Sequence, residues 1–265
     1  MSLRWIPLLQ RRGDWQMATD SWLLDQAVEA GAQTSGPVQG ATGATGAMLR
    51  FYSWERPTLS LGFHQRELLP RWLELQQAGV LDLVRRPSGG RAVLHHRELT
   101  YALVWPGAPA QRRQAYRSAC LWLQLAFSRL GLPLHWGEGA AAMAPASCFA
   151  SSSSADLVHA NGAKRIGNAQ LWRRGVLLQH GSILLDPDRE LWRQVLGEEP
   201  PPLPALPCGT ETLSETLRLA ALETLPTAAT GWLEQPLSPE ELCGIRSQLH
   251  HYRIQDTRRM DPQPG

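Results

Sequence analysis

Apolar positions recur at helical spacing over residues 15–30, where Ala18, Trp22, Leu23 and Ala27 share one side and Gly31 reads as the stop. A second such pattern covers 68–78 and ends at Gly79. The strongest runs through Tyr116, Ala119, Cys120, Leu123, Phe127 and Leu130, closing at Gly131 with Pro133 beyond. Short apolar runs predict strands at 48–54, 81–85, 92–95 and 99–105. Three more strands are expected at close spacing. Residues 155–159 run into Asn161-Gly162, a hairpin signal; 164–172 return; Arg174-Gly175 turn the chain into 176–185. Small-residue stretches at 36–46 and 137–145 carry no periodicity and read as loops, the first of them mobile. A proline-rich connector spans 200–207 and helices follow, one opened by Ser238-Pro239-Glu240-Glu241. Strands and helices mix without strict βαβ alternation. The class is therefore α+β, with a largely antiparallel or mixed sheet flanked by helices. One domain over 1–195 is expected, with 196–265 forming a connector and helical extension packed on it.

Bulk properties narrow the function classes. At 265 residues, 43% hydrophobic and 19% charged, the chain can bury a full core. A net charge of +2 gives no strong case for nucleic acid. The N-terminal apolar patch is broken by Pro7 and is too short for a signal-peptide core or a membrane span, so a soluble cytoplasmic protein is expected. Four widely spaced cysteines, Cys120, Cys148, Cys208 and Cys243, form neither a disulfide framework nor a zinc site. One number stands out: of 26 basic residues, Lys164 is the single lysine. Arginine serves wherever a generic positive charge is wanted, but it cannot supply a compact ammonium of movable pKa.

Four stretches could carry chemistry. Arg85-Arg86-Pro87-Ser88-Gly89-Gly90-Arg91 lies between two predicted strands. It is either a tight turn or a cradle whose backbone amides approach a ligand, with arginines suited to phosphate or carboxylate. It lacks the lysine of a Walker A loop and is not GxGxxG. Cys120 falls on the apolar face of a helix and reads as a buried hydrophobe, whereas Cys148 sits between a Gly/Ala loop and the serines at 151–154. A nucleophilic cysteine needs a nearby cation, and Lys164, folded back by the hairpin, could supply one. His180, in a predicted strand, reads first as a satisfied structural histidine.

Taken together these stretches resemble the biotin/lipoate protein ligase superfamily, on its lipoyl-transfer side. Arg85 to His95 with Glu98-Leu99-Thr100-Tyr101 is similar to the family's RRPTGGRAVLH…ELTYS signature. Met17-Ala18-Thr19-Asp20 resembles its N-terminal helix motif, and Pro57-Thr58-Leu59-Ser60-Leu61-Gly62 its PTLSLG strand. Lys164, Gly167, Ala169, Gln170 and the run from Leu178 to Leu185 match its KxxGxAQ…LQHGSILL segment. The resemblance covers roughly residues 1–190. Within the family, Cys148-Phe149-Ala150-Ser151-Ser152-Ser153 is similar to the Cys-Phe-x-x-Pro-Ser motif of the LipM-type octanoyltransferases, with Ser152 where proline is expected.

The resemblance implies acyl transfer in two steps. Cys148 would take an octanoyl group from acyl carrier protein as a thioester. A lysine of a lipoyl domain, in the glycine cleavage H protein or a 2-oxoacid dehydrogenase E2, would then take it as an amide. Lys164 would favour the thiolate and hold the developing oxyanion. Arg86, Ser88, Gly89, Gly90, Arg91 and His95 would bind substrate from one loop and strand, and Gly167, Ala169, Gln170, His180 and Gly181 from the later hairpin. No metal and no cofactor is implied, nor a nucleic-acid or membrane partner. Acidic partners would be guided by exposed arginines. Two alternatives stay open: an ATP- and Mg-dependent lipoate–protein ligase, and an amidotransferase moving the acyl group between lipoyl domains. A scaffold without chemistry is the non-enzyme alternative, and the retained lysine argues against it.

Overall fold

The computed structural model describes residues 3–33, 46–137, 155–225 and 231–254. The expected loops at 36–46 and 137–145, but for Gly46 and Gly137, lie outside these residues, as does Cys148.

Among the described residues, eleven strands and six helices alternate irregularly: β1 (Leu3–Arg11), α1 (Gly13–Gln33), β2 (Met48–Trp54), β3 (Thr58–Leu61), α2 (Pro70–Gln77), β4 (Asp82–Arg85), β5 (Val93–His95), β6 (Glu98–Pro106), α3 (Arg112–Arg129), β7 (His135–Trp136), β8 (Leu157–Val158), β9 (Lys164–Arg173), β10 (Val176–Leu184), α4 (Arg189–Leu196), α5 (Thr210–Thr224), β11 (Trp232–Glu234) and α6 (Pro239–Gln248). Eight strands form one sheet in the order β11-β1-β2-β6-β10-β9-β8-β7, and β4-β3-β5 form a second. The large sheet is antiparallel from β2 onward, but β1 runs parallel to both β2 and β11. The mixed class expected from the pattern is the one observed.

The sheet is buried on both faces, which is why its central strands read as continuous apolar runs. On β6, Leu99, Tyr101, Leu103 and Trp105 pack under α3 and α5, whereas Ala102 and Val104 pack under α1 and α6. The period-2 geometry of a strand sends these two sets to opposite sides. The small sheet closes its own core with Trp72 and Leu73 of α2 and with Leu191, Trp192 and Val195 of α4. No helix among the described residues is long and apolar enough to cross a membrane.

Several expectations shift. The N-terminal patch is a strand, β1, and its register slips between Ile6 and Leu9, around Pro7. A proline has no N–H to give a ladder and is tolerated at such an irregularity. Gly31 does not end α1, which continues to Gln33. Glycine weakens a helix interior by only about 1 kcal/mol relative to alanine. The buried row Met17, Ala18, Leu23, Leu24 and Ala27 carries the helix past it. The strand expected over 155–159 shrinks to β8, Leu157–Val158. α4 was not expected: it buries Leu191, Trp192, Val195 and Leu196 on one face, the Asp188 carboxylate accepts the Leu191 N–H at its start, and Gly197 ends it at φ 76°. The capping box Ser238/Glu241 opens α6 as expected.

Candidate functional site

The site grows from the turn between β4 and β5. Arg86 is buried there, and its guanidinium is spent on its own loop. It donates to the carbonyl oxygens of Gly89 (2.8 and 3.1 Å), Arg91 (2.6 Å) and Ser60 (2.9 Å), and to Ser60 Oγ (3.2 Å). The side chain thus braces the glycines while still lining the cavity beneath them. Gly62 of the neighbouring turn lies so close that a Cβ there would sit 1.9 Å from the Gly90 carbonyl oxygen, and Gly90 itself has φ 97°. Gly62 and Gly90 thus pack by contacts that no larger residue fits.

Beneath them is a cavity of about 70 Å³. Met17 of α1, Tyr52 of β2 and His95 of β5 line it, as do Gly167, Ala169, His180 and Gly181 of the β9–β10 hairpin. Arg86, Gly89 and Gly90 reach the same space. The polar side chains around it hydrogen-bond among themselves. Ser60 Oγ donates to His95 Nε2 (2.7 Å), and His95 Nδ1–H donates to Glu98 (2.6 Å). Thr100, Trp54 and Ser182 all donate to the same Glu98 carboxylate. On the other side Ser88 Oγ donates to His180 Nε2 (2.5 Å), and His180 Nδ1–H donates to Asp20 Oδ2 (2.9 Å). Arg50 (2.6 and 2.9 Å) and Tyr52 (3.0 Å) complete the Asp20 carboxylate. Burial works to raise the Asp20 carboxyl, but Arg50 and His180 outweigh it and hold it below its ordinary value. Burial, with Asp20 adding to it, pushes the Tyr52 phenol well up, so that group stays a donor. A wall whose polar atoms are already satisfied offers an apolar surface.

The other expected residues scatter. Lys164, at the start of β9, is buried and pairs with Asp156 at 3.0 Å. It stands three residues before Gly167, on the strand that lines the cavity. Gln170 lines the adjoining groove rather than the cavity and donates to Gln179 (2.8 Å). Arg91 is half-buried, and its Nη1 has no hydrogen-bond partner among the described residues. Cys120 is buried in the core as expected, where burial pushes its thiol up to about 12. A neighbouring groove of about 730 Å³ shares Arg86 and Gly89 with the cavity and is bordered by Arg85, Arg112, Arg173 and His64. Arg85 spends its guanidinium on carbonyls at 62 and 65, and Arg173 pairs with Asp25.

Asp20, Arg50, Glu98 and Ser182 were not singled out as site residues. A signal for two of them exists in hindsight. Arg50 interrupts an otherwise apolar strand, and a charge there demands a buried partner, which Asp20 supplies from the inner face of α1.

Comparison with known proteins fits this arrangement. The lipoyl protein ligase A/B catalytic domain model matches residues 14–218, more than half of the chain. The chain belongs to this family. Among its relatives, the octanoyltransferase LipM of Kyrpidia tusciae is 43% identical over 159 residues, 56% of this chain and 58% of that protein. The LipM of Bacillus subtilis is 39% identical over 155 residues, 54% of this chain and 55% of the relative. The matched stretch thus spans little more than half the length of these relatives. Among solved structures, the bi-partite lipoate protein ligase of Thermoplasma acidophilum superposes with a TM-score of 0.69 at 19% identity, covering 94% of this chain and 92% of that one. A lipoate-protein ligase A bound with ATP gives 0.70 at 19% identity, covering 94% and 95%. At that identity the likeness is one of fold. The cavity, the Gly89-Gly90 roof and Lys164 all fall within the span of the family's catalytic domain.

Proposed function

We propose that this member of the lipoyl protein ligase A/B family transfers an octanoyl group to the lysine of a lipoyl domain. The donor is octanoyl-acyl carrier protein, the acceptor is a glycine cleavage H protein or a 2-oxoacid dehydrogenase E2, and the setting is cytoplasmic. The observation that carries the reading is the cavity under Gly89-Gly90, whose lining side chains Tyr52, Ser60, His95, Thr100, His180 and Ser182 all have hydrogen-bond partners within the protein. Such a wall suits an alkyl chain. Each methylene buried there stabilises binding by about 0.8 kcal/mol, which favours a medium chain over acetyl. At about 70 Å³ the cavity is smaller than the roughly 150 Å³ that holds benzene in an engineered protein, so it takes part of an octanoyl chain as it stands. The rest extends into the adjoining groove or widens the pocket.

In this reading Cys148 is the nucleophile. Its thiolate attacks the carrier thioester and releases the carrier thiol, and the acceptor lysine then displaces the cysteine to form the amide. A thioester is already activated, so neither ATP nor a metal is required. Lys164, held by Asp156, is the cation that favours the thiolate. The relatives named LipM support octanoyl transfer, and the single lysine of the chain falling at the family's lysine position supports Lys164. The groove of about 730 Å³ favours one competing reading, an ATP-dependent ligase, because it has room for a nucleotide. Turnover assays separate the two. Amide formation from octanoyl carrier protein without ATP, lost in Cys148→Ala, is the expected result. Amide formation that requires free lipoate and ATP, and survives Cys148→Ala, would establish the ligase.

A further inference from the structure

The transfer reading leaves one buried array without a task. Asp20 on α1, His180 on β10 and Ser88 in the β4–β5 turn come from three separate parts of the chain. They meet as carboxylate, imidazole and hydroxyl, with Oδ2 to Nδ1 at 2.9 Å and Nε2 to Oγ at 2.5 Å. All three are buried. A purely structural histidine needs its two nitrogens satisfied, and any donor and acceptor would serve. Here the order of partners matters. Arg50 keeps the Asp20 carboxylate charged, so it accepts from Nδ1–H, and in the neutral ring Nε2 is then the acceptor. Ser88 Oγ–H therefore points at a base, and the oxygen's lone pairs are left for another donor. The ring of His180 lines the cavity, and Ser88 immediately precedes the two glycines that roof it. Tyr52 and Arg50 of β2 are the other titratable groups at this carboxylate.

We infer that Asp20, His180 and Ser88 form a proton relay for the second half of the reaction, the attack of the acceptor amine on the acyl thioester. This rests on the transfer reading above. The amine nitrogen forms the C–N bond and passes one proton to Ser88 Oγ while the serine proton moves to His180 Nε2. The C–S bond breaks with its electron pair leaving on sulfur, and the imidazolium returns the proton by the same path to that thiolate. Asp20 is a positioning residue: it fixes the tautomer and stabilises the transient imidazolium, a role for which removing the carboxylate is costly in Ser-His-Asp enzymes. The N-terminal motif Met17-Ala18-Thr19-Asp20 thereby acquires a function.

The test loads the full-length enzyme with an octanoyl group from a thioester donor and then follows single-turnover release to two nucleophiles. One is the lipoyl-domain lysine, which must lose a proton as it attacks. The other is hydroxylamine, which attacks thioesters without a base. Ser88→Ala removes one oxygen and leaves the Asp20–Arg50 pair intact, so it tests the relay without unpairing a buried charge. General base catalysis is worth about 10²–10⁴-fold. Ser88→Ala is expected to slow transfer to the lysine about 100-fold at unchanged KM for the lipoyl domain, while hydroxylamine release stays at the wild-type rate. Ser88→Thr, which keeps the hydroxyl, restores most of the loss. Equal slowing with both nucleophiles, or no slowing with either, overturns the relay. A wild type that never acquires the octanoyl group overturns the transfer reading, and the relay with it. A wild type that transfers no faster than Ser88→Ala overturns the relay alone.

Discussion

Replacing Arg86 by lysine keeps the charge but removes the fork. The guanidinium serves the carbonyls of Gly89, Arg91 and Ser60 together with one hydroxyl, all at 2.6–3.2 Å. A lysine ammonium is a compact donor that cannot span those three directions. Two carbonyls would then lose their partners in a buried setting, at about 1–3 kcal/mol each. The expected loss is therefore about 2–6 kcal/mol, a large share of the roughly 5–15 kcal/mol that holds a typical domain. At about 2–4 °C per kcal/mol for a chain of this size, that corresponds to a fall in Tm of about 4–24 °C. Urea denaturation followed by tryptophan fluorescence measures it, with an unchanged m-value marking a pure stability effect. Arg86→Lys with wild-type stability and only a raised KM for the acyl donor would refute the reasoning. It would return Arg86 to the role its arginine-rich loop first suggested, a contact to substrate.

Four other outcomes follow. Gly62→Ala forces a Cβ to 1.9 Å from the Gly90 carbonyl oxygen, so the roof must move; transfer should fall at least about 10-fold, with circular dichroism showing the fold retained. Lys164→Arg should cripple transfer despite keeping the charge, because a bulkier guanidinium must replace an ammonium buried against Asp156; near-normal turnover would remove the lysine from the account. His159 is pushed from the ordinary 6.5 down to about 4, by burial first and by Arg165 second. The fold thus favours the neutral ring, and its contribution is present above pH 6.5 and lost as pH falls toward 4. His159→Gln, which keeps an acceptor for Arg165, should flatten the stability-versus-pH curve in that window. Raising ionic strength should slow transfer from an acidic carrier if exposed arginines steer docking, and a salt-independent rate would show that they do not.

How far the pattern of residues carries depends on what each element answers to. β2 was readable to the residue, and β9 and β10 to within one, because β2 and β10 are apolar runs and the Asn161-Gly162 and Arg174-Gly175 turns bracket β9. Arg174-Gly175 adopts the positive φ pair, 47° and 82°, that its composition announces. β1 was not readable: Pro7 masks its period, and only pairing with β2 and β11 rescues it. For the site, motif resemblance located the cavity lining at Gly89, Gly90, His95, Gly167, Ala169, His180 and Gly181. It did not show that Arg86, also at the cavity, holds its own loop, because no linear pattern tells an arginine that braces a turn from one that awaits a ligand. It gave no partner for His180 either. Asp20 lies 160 residues away, and only the stacking of α1 on the sheet brings the two together.

The most direct test of octanoyl transfer is intact-protein mass spectrometry after mixing the chain with octanoyl-acyl carrier protein in the absence of ATP, for wild type and Cys148→Ser. The account predicts an octanoyl adduct on the wild type that hydroxylamine removes, with no such hydroxylamine-labile adduct on the serine variant. An unmodified wild type that forms the amide only when free lipoate and ATP are supplied would contradict it.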